Sequence, residues 1–316
     1  MIDASLILVN YRTEEHLLEA LEHLARLADE TPRQIIIVDN SPAAGLKGKL
    51  RSSFPRVEYL ESPLNLGFAG GVNLGLARVR EQFVILLNPD ARPEPNCLAG
   101  LVSTLCSQEE AAVAGPRLLP FEDNQPCFPS AIRRDPDFLT ALIEYTPVRS
   151  LFGRDWLQQN YFIAPDSAQQ ATSCAMVQGA CFAVKRSWIE RVGLLDSDSF
   201  FLYFEETDFC RRARLQGGKI IYRPELVCRH WGGASLDGRS QDVFHFWQSL
   251  YAFHRKHYGI RRTALLKMLL TIGLAAEYHL CRMKQKSGVA ANELSPYLET
   301  VAERLAFHLG GMRHEP

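Results

Sequence analysis

The sequence predicts an α/β domain whose mostly parallel sheet is covered by helices on both faces, followed by a C-terminal helical extension. Three observations carry this. Short aliphatic runs alternate with helical stretches from residue 4 to about residue 115. The runs are nearly continuous in apolar residues rather than alternating, which marks strands buried on both faces, the doubly wound arrangement. Beyond Asp242 the pattern is helical throughout.

Ser5–Val9 reads as the first strand, and Glu14–Leu27 as a helix with Leu17, Leu21 and Leu24 at helical spacing. Ile35–Val38 and Val57–Leu60 are aliphatic strands, Ala69–Arg80 a helix, Phe83–Leu87 a strand, Cys97–Cys106 a helix and Ala111–Ala114 a strand. From residue 116 to about 173, prolines at 116, 120, 126, 129, 136, 147 and 165 interrupt any period, which predicts a long irregular excursion of the kind that shapes a substrate pocket. Regularity returns with Cys181–Val184 as a strand, Glu205–Gln216 as a helix closed by Gly217-Gly218, and Lys219–Tyr222 as a strand. The first strand runs into Asn10-Tyr11-Arg12-Thr13 with no glycine before Gly45, so this Rossmann-like pattern lacks the G-x-G-x-x-G turn of a dinucleotide enzyme. A nicotinamide or flavin chemistry is thereby disfavoured.

The 35 Lys and Arg against 36 Asp and Glu exclude a uniformly basic coat, and with it nucleic acid as the partner of the whole chain. The start, MIDASLILVNYR, has no basic leader and is apolar only from Ala4 to Val9, which predicts a cytoplasmic protein. Eight cysteines are scattered without a C-x-x-C, so they read as small buried hydrophobes rather than as a zinc site or a disulfide framework.

Polar residues cluster where chemistry in such a sheet belongs, beyond the carboxyl ends of the strands. Asp39 follows Ile-Ile-Ile-Val, and Asp90 follows Phe-Val-Ile-Leu-Leu-Asn88-Pro89. A carboxylate there can accept from a base or ribose, or ligate a hard cation shared with phosphates; equally, it can cap a helix or close a turn. Between them, the segment from Asn65 to Gly75 (NLGFAGGVNLG) lets backbone approach a ligand at a helix start. Glu205, Glu206 and Asp208 follow five consecutive hydrophobes, and at about 100° per residue they cannot share one helix face. One of them, desolvated, suits a general base; the alternative is a solvated first turn favoured by the helix dipole. His230 ends a strand before Gly232-Gly233 and could complete a cation site begun by Asp90, or be structural.

Taken in order, VNYRTEEHLLEAL, IIIVDNS, NLGFAGGVNLGL, LLNPDA, the long stretch from VQGACFAVKRSW to FEETDFCRRARLQGGKI, and HWGGAS resemble glycosyltransferase family 2, the inverting GT-A enzymes, and within it the rhamnosyltransferase-like branch. The resemblance covers about residues 4 to 236. It implies a GT-A catalytic domain over 1–241, with a nucleotide-binding half at 1–115 and an acceptor half at 116–241, and a helical extension over 242–316. It further implies that Asn10 and Asp39 contact the nucleobase, that Asn65, Gly67, Gly70, Asn73 and Asn88 lie beside the donor, and that Asp90 and His230 hold a divalent cation, Mg2+ or Mn2+. Glu206 stands where the family has its catalytic Asp, with Glu205 its rival as base, and Asp208 matches a structural position. The implied reaction is metal-dependent transfer of a sugar from a nucleoside-diphosphate donor, dTDP-rhamnose or a UDP-sugar, to a saccharide or lipid-linked glycan acceptor in cell-envelope polysaccharide synthesis. The Glu-Glu pair leaves open a homologue that binds without turnover, and the fold class leaves open a nucleotidyltransferase, although Asn10-Tyr11-Arg12-Thr13 is not the basic loop that class uses.

The near-neutral total conceals a cancellation. Residues 255–286 hold eight Lys and Arg against Glu277 alone. Inside that stretch Met268–Ala276 has no charge; it reads as too short to span a membrane and suited to lying on an anionic lipid surface, or else to packing on the catalytic domain or a second subunit of a homo-oligomer.

Overall fold

The structure, a computed structural model, describes residues 1–41, 45–121, 132–152, 156–157, 161, 171–232, 239–286 and 291–310. Cys127 and the Gly233–Ser235 end of the last motif lie outside the described residues. The chain forms two compact units, residues 1–135 with 162–235 and residues 136–161 with 236–316.

The first unit is built on a sheet whose strands are β1 (Ile2–Asn10), β2 (Pro32–Asp39), β3 (Val57–Glu61), β4 (Phe83–Leu87), β5 (Ala91–Pro93), β6 (Ala111–Leu119), β8 (Thr172–Cys174), β10 (Cys181–Lys185) and β11 (Lys219–His230), with a separate pair β7 (Ile132–Arg133) and β9 (Met176–Val177). The order is β3-β2-β1-β4-β10-β6-β11-β5, with β8 beside β11. The β3-β2-β1-β4 portion and the β6–β11 pair are parallel, while β10 runs antiparallel to both its neighbours. Strand order reverses at β1, whose neighbours are β2 and β4, and the mouth beyond its carboxyl end is the switch point where such sheets take ligands.

Helices cover both faces, as the aliphatic strands require. On one, Leu17, Leu21 and Leu24 of α1 (Glu14–Arg26), Leu46 and Leu50 of α2 (Leu46–Ser53) and Leu98, Leu101 and Leu105 of α4 (Cys97–Ser107) join a single core with Leu6, Leu8 and Ile85. On the other, Ala69 and Val72 of α3 (Gly67–Leu76), Trp188 and Ile189 of α7 (Arg186–Val192) and Phe209 and Ala213 of α8 (Glu205–Leu215) pack on Ile7, Val38 and Phe182. Added Cβ atoms would sit 2.7 Å from Val9 at Gly71 and 2.8 Å from Ile7 at Gly75, so these glycines let α3 lie directly on the sheet. The predicted helix over 69–80 ends at Leu76 because the Arg80 amide donates to Gln34 Oε1 (3.0 Å), which draws the chain off the helical path into β4. Of the cysteines, Cys97, Cys174, Cys181, Cys210, Cys228 and Cys281 are buried free thiols, and Cys106 is exposed.

The second unit is helical. It contains α5 (Phe138–Tyr145), the single turn α6 (Arg149–Phe152), α9 (Arg239–Tyr258), α10 (Ile260–Lys286) and α11 (Ala291–His308). The stretch predicted as irregular thus contains α5 and α6, and a signal was present: Asp137 accepts from the Thr140 amide (2.8 Å) while the Asp137 amide donates to Thr140 Oγ1 (2.9 Å), a capping box that starts α5. Trp247, Leu250, Phe253, Leu266, Leu270 and Leu274 form the interior of this unit. Gly273 admits Thr146, whose Cγ2 lies 2.6 Å from where a Cβ would stand. By length and composition α10 suffices to cross a membrane, although its charge-free centre, Met268–Ala276, is by itself too short; 28% of its most apolar window is buried inside the protein.

Candidate active site

Three strand ends and one helix start meet in the first unit. At the end of β1, Asn10 donates from Nδ2 to Asp39 Oδ1 (2.9 Å), its register partner on β2, and accepts from Thr13 Oγ1 (2.9 Å). Asp39 also accepts from the Ser41 amide (3.1 Å) and, at Oδ2, from the Tyr59 hydroxyl (2.6 Å). Asn10 and Asp39 have no exposed surface, so this is a rigid, satisfied polar hub. Burial, then the hydrogen bond to Asp39, pushes the Tyr59 phenol up, so it stays a donor. Neither Tyr59 nor the next residue of β2's exit, Asn40, was singled out from sequence. Asn40 donates to the Gly67 carbonyl (2.8 Å), while its Oδ1 is buried with no partner among the described residues.

Gly67 opens α3 with φ of 69°, and a Cβ there would stand 2.2 Å from the Phe201 carbonyl oxygen. Only glycine combines that conformation with that approach. The adjoining Phe68 amide donates to the same carbonyl (2.8 Å), and Asn65 Oδ1 accepts from the Gly67 amide (3.0 Å). Gly70 faces Leu66 and Ser197. Asn73 donates to the Leu195 carbonyl (2.8 Å) and accepts from its amide (3.1 Å), which makes it a brace between α3 and the segment before α8.

At the end of β4, Asn88, Pro89 and Asp90 form a turn in which the Ala91 amide donates to the Asn88 carbonyl (3.0 Å). The buried Asp90 places Oδ1 3.3 Å from His230 Nε2, and its carbonyl accepts from the Trp231 amide (3.1 Å). Antiparallel pairing of Ala91 with His230 fixes this meeting. Arg92, buried and also missed from sequence, donates to the carbonyls of Pro89 (2.6 Å) and Ala91 (2.9 Å) and to Glu19 (3.0 Å), and so holds the turn in place. Trp231 stacks on Phe121 with ring centroids 4.1 Å apart and stays half exposed beside the pair.

The carboxylates of α8 sort as their rotation demands. Asp208, fully buried, pairs with Arg212 (2.7 Å), which in turn donates to Val192 and Leu194 carbonyls, a structural tie. Arg211 pairs instead with Asp135 (2.6 Å). Glu205 and Glu206 each bury an Oε2 with no hydrogen-bond partner among the described residues. Burial and the adjacent Glu206 charge hold the Glu205 carboxyl well above the ordinary range. Burial also raises Glu206, while the amides of Glu206 and Thr207 and the charge of Arg133 oppose the rise. Tyr203 and Phe204 before them both have positive φ, 70° and 68°, a strained pair that the surrounding contacts hold in place.

The clusters are continuous. The glycine-rich start of α3 touches Phe201, a few residues before Glu206; Glu206 lies 3.7 Å from the Cβ direction of Gly179; and Ala180 accepts from the Asn88 amide (2.9 Å), two residues before Asp90. Through these contacts the predicted residues form one connected series at the strand ends, from the Asn10–Asp39 hub to Asp90 and His230, with Asn73 and Asp208 serving as its braces.

A carboxyl held more tightly protonated in the native state costs stability as pH rises from the ordinary glutamate range to the raised value, and that cost persists above it. Glu205→Gln keeps the shape and removes the ionisation. It is expected to match the wild type in melting temperature in acid and to exceed it by at least about 2 °C at pH 8. Equal melting curves at both pH values would place Glu205 in the ordinary range.

Comparison with known proteins bears on this series of residues. The profile of Glycosyl transferase family 2 matches residues 5–193. A low-salt glycan biosynthesis hexosyltransferase of Haloferax volcanii is 28% identical over 69% of this chain and 64% of its own length, so the chain spans somewhat under two thirds of that relative. An N-acetylglucosaminyl-diphospho-decaprenol L-rhamnosyltransferase of Mycobacterium tuberculosis is 25% identical over 87% of this chain and 91% of its own. The rhamnosyltransferase WbbL of Escherichia coli is 24% identical over 79% and 89%. Among solved structures, a mannosyltransferase of Pyrobaculum calidifontis in complex with GDP-Man and Mn2+ shares the fold, with a TM-score of 0.59 at 17% identity over 98% of this chain and 86% of its own. The α/β sheet with a helical C-terminal region is that of the GT-A glycosyltransferases.

Proposed function

Since this chain belongs to glycosyltransferase family 2, we propose that it is an inverting enzyme that passes a hexosyl unit, rhamnose foremost, from a nucleoside-diphosphate donor to a hydroxyl of a saccharide or lipid-linked glycan. The observation that carries the reading is a buried Asp90–His230 pair linked through Asn88, Ala180 and Gly179 to an underprovided carboxyl pair, Glu205 and Glu206. The first suits the leaving diphosphate and the second suits a proton acceptor. Rhamnose is supported by the relatives from Mycobacterium tuberculosis and Escherichia coli, both rhamnosyltransferases, and a lipid-diphosphate acceptor by the first alone, which acts on N-acetylglucosaminyl-diphospho-decaprenol.

The mechanism uses this chain's groups in order. The Asn10–Asp39–Tyr59 hub forms a rigid floor for the nucleobase, and Asn40 Oδ1 offers one unspent acceptor beside it. The backbone at the start of α3 lies against the donor. Glu206 takes the acceptor hydroxyl's proton as that oxygen attacks the anomeric carbon from the face opposite the diphosphate, and a single displacement inverts the centre. Glu205, whose carboxyl burial and the Glu206 charge hold well above the ordinary range, is the less readily ionised of the two. Among the described residues no three His, Cys, Asp or Glu side chains gather around one point. One carboxylate and one imidazole nonetheless fit a hard cation that draws its other ligands from diphosphate and water. Asp90 and His230 would hold such an ion, Mg2+ or Mn2+, and its charge would neutralise that building on the leaving group.

Incubating the protein with dTDP-rhamnose, UDP-sugars and GDP-sugars, with and without Mg2+ or Mn2+, tests the reading. Release of nucleoside diphosphate, dTDP fastest, and an inverted anomeric signal by NMR are expected. Pyrophosphate release would identify a nucleotidyltransferase, and saturable binding with no turnover on any acceptor would identify a binding protein.

A further inference from the structure

The longest helix of the second unit is apolar on two opposite faces. Leu266, Leu270, Leu274 and Cys281 of α10 are buried within the protein. Leu265, Met268, Ile272, Leu280 and Met283 recur at spacings of three to eight residues and are exposed, Met268 by 52%, Ile272 and Met283 each by 59%. At about 100° per residue they form one outward stripe, set away from the buried one. A stripe of this kind along a 27-residue helix is more apolar surface than a scattering of single exposed residues needs.

The charges around the stripe decide what covers it. The same rotation places Arg262 and Lys284 on one border and Arg282 on the other, all exposed, with Arg261 at its N-terminal end; Lys267 lies beside the packed face, over the Tyr251 ring. The acidic residue of the segment is turned inward: Glu277 is buried, accepts from Arg149 (3.3 Å) and is hydrogen-bonded by Tyr297. The outward border is therefore cationic without an offsetting carboxylate. A second copy docked antiparallel would set Arg261 and Arg262 against Arg282 and Lys284, and one docked parallel would set like charges at the same level; both pairings repel. An anionic lipid surface instead meets apolar residues with acyl chains and the borders with headgroup phosphates. Spanning is disfavoured, because it would strip the packed face and carry the Glu277 cluster into hydrocarbon.

We propose that the outward face of α10 docks on anionic lipid, with the helix lying in the headgroup plane. Flotation of the full chain with phosphatidylcholine vesicles, with and without about 30% phosphatidylglycerol, tests this without any substrate, so the result is independent of the transferase reading. Binding to the anionic vesicles is expected to exceed that to neutral ones by at least about tenfold and to fall as salt is raised. The double variant Met268→Ser, Ile272→Ser and, separately, Arg262→Glu, Arg282→Glu should each lose about tenfold or more, with unchanged circular dichroism and unchanged transfer to a soluble acceptor. Equal binding to both vesicle types, binding that survives either variant, or a dimer in solution that Met268→Ser, Ile272→Ser dissociates would overturn the proposal.

Discussion

Replacing Asp90 by alanine is expected to cut sugar transfer about a thousandfold, roughly 4 kcal/mol of lost transition-state stabilisation, with the fold intact. The prediction rests on how little else beside this turn could substitute. Asp90 supplies the carboxylate facing His230 at 3.3 Å, and Asn88 on the same turn is neutral. The backbone survives the change, since Arg92 grips the carbonyls of Pro89 and Ala91, and Trp231 donates to the main chain of residue 90 rather than to its side chain. Calorimetry should show nucleoside diphosphate binding to the variant no longer strengthened by Mn2+, a readout that does not depend on turnover. A variant retaining more than about a tenth of wild-type kcat would remove Asp90 from the leaving-group side.

Glu206→Gln should lower kcat by about a hundredfold to ten-thousandfold and leave the donor KM within about threefold, the signature of a lost proton acceptor rather than a lost binding contact. Glu205→Gln, by contrast, replaces the carboxyl that burial and the Glu206 charge make harder to ionise, and should keep activity within about tenfold of wild type. The reasoning is electrostatic. Adjacent carboxylate charges oppose one another, and the carboxyl favoured by the amides of Glu206 and Thr207 and by Arg133 is Glu206. Because burial raises its pKa, the base form is lost as pH falls through a value above the ordinary glutamate range, so the acid limb of kcat/KM should lie above that range and vanish in Glu206→Gln. A reversed pair of outcomes, with Glu205→Gln inactive and Glu206→Gln active, assigns the base to Glu205.

How much of this was legible follows from what sequence encodes locally. Asn10 and Asp39 stood out because each directly ends an apolar run, and Asp90 and His230 because each follows one within three residues; a strand end is a position that periodicity reveals. Glu205 and Glu206 stood out against the hydrophobes before them. The division of labour was not visible. Asp39 and Tyr59 are 20 residues apart, Asn73 and Leu195 are 122 apart, and Arg92 reaches His16 and Glu19 across more than 70. Such partnerships are set by the stacking of strands and helices. The antiparallel β10 was hidden for a related reason: its residues are aliphatic whichever way the strand runs. The α5 capping box was a local signal passed over among the surrounding prolines.

The contacts between α3 and the segment before α8 carry a consequence for exchanging segments between relatives. Phe68 is bonded to the Phe201 carbonyl, Asn73 is clasped twice to Leu195, and Gly67 tolerates no side chain against Phe201. Residues 65–75 and 195–206, which the proposed reaction assigns to donor and proton acceptor, are thus one joined piece. A chimera with a relative is therefore expected to fold well only when the two segments are exchanged as a block.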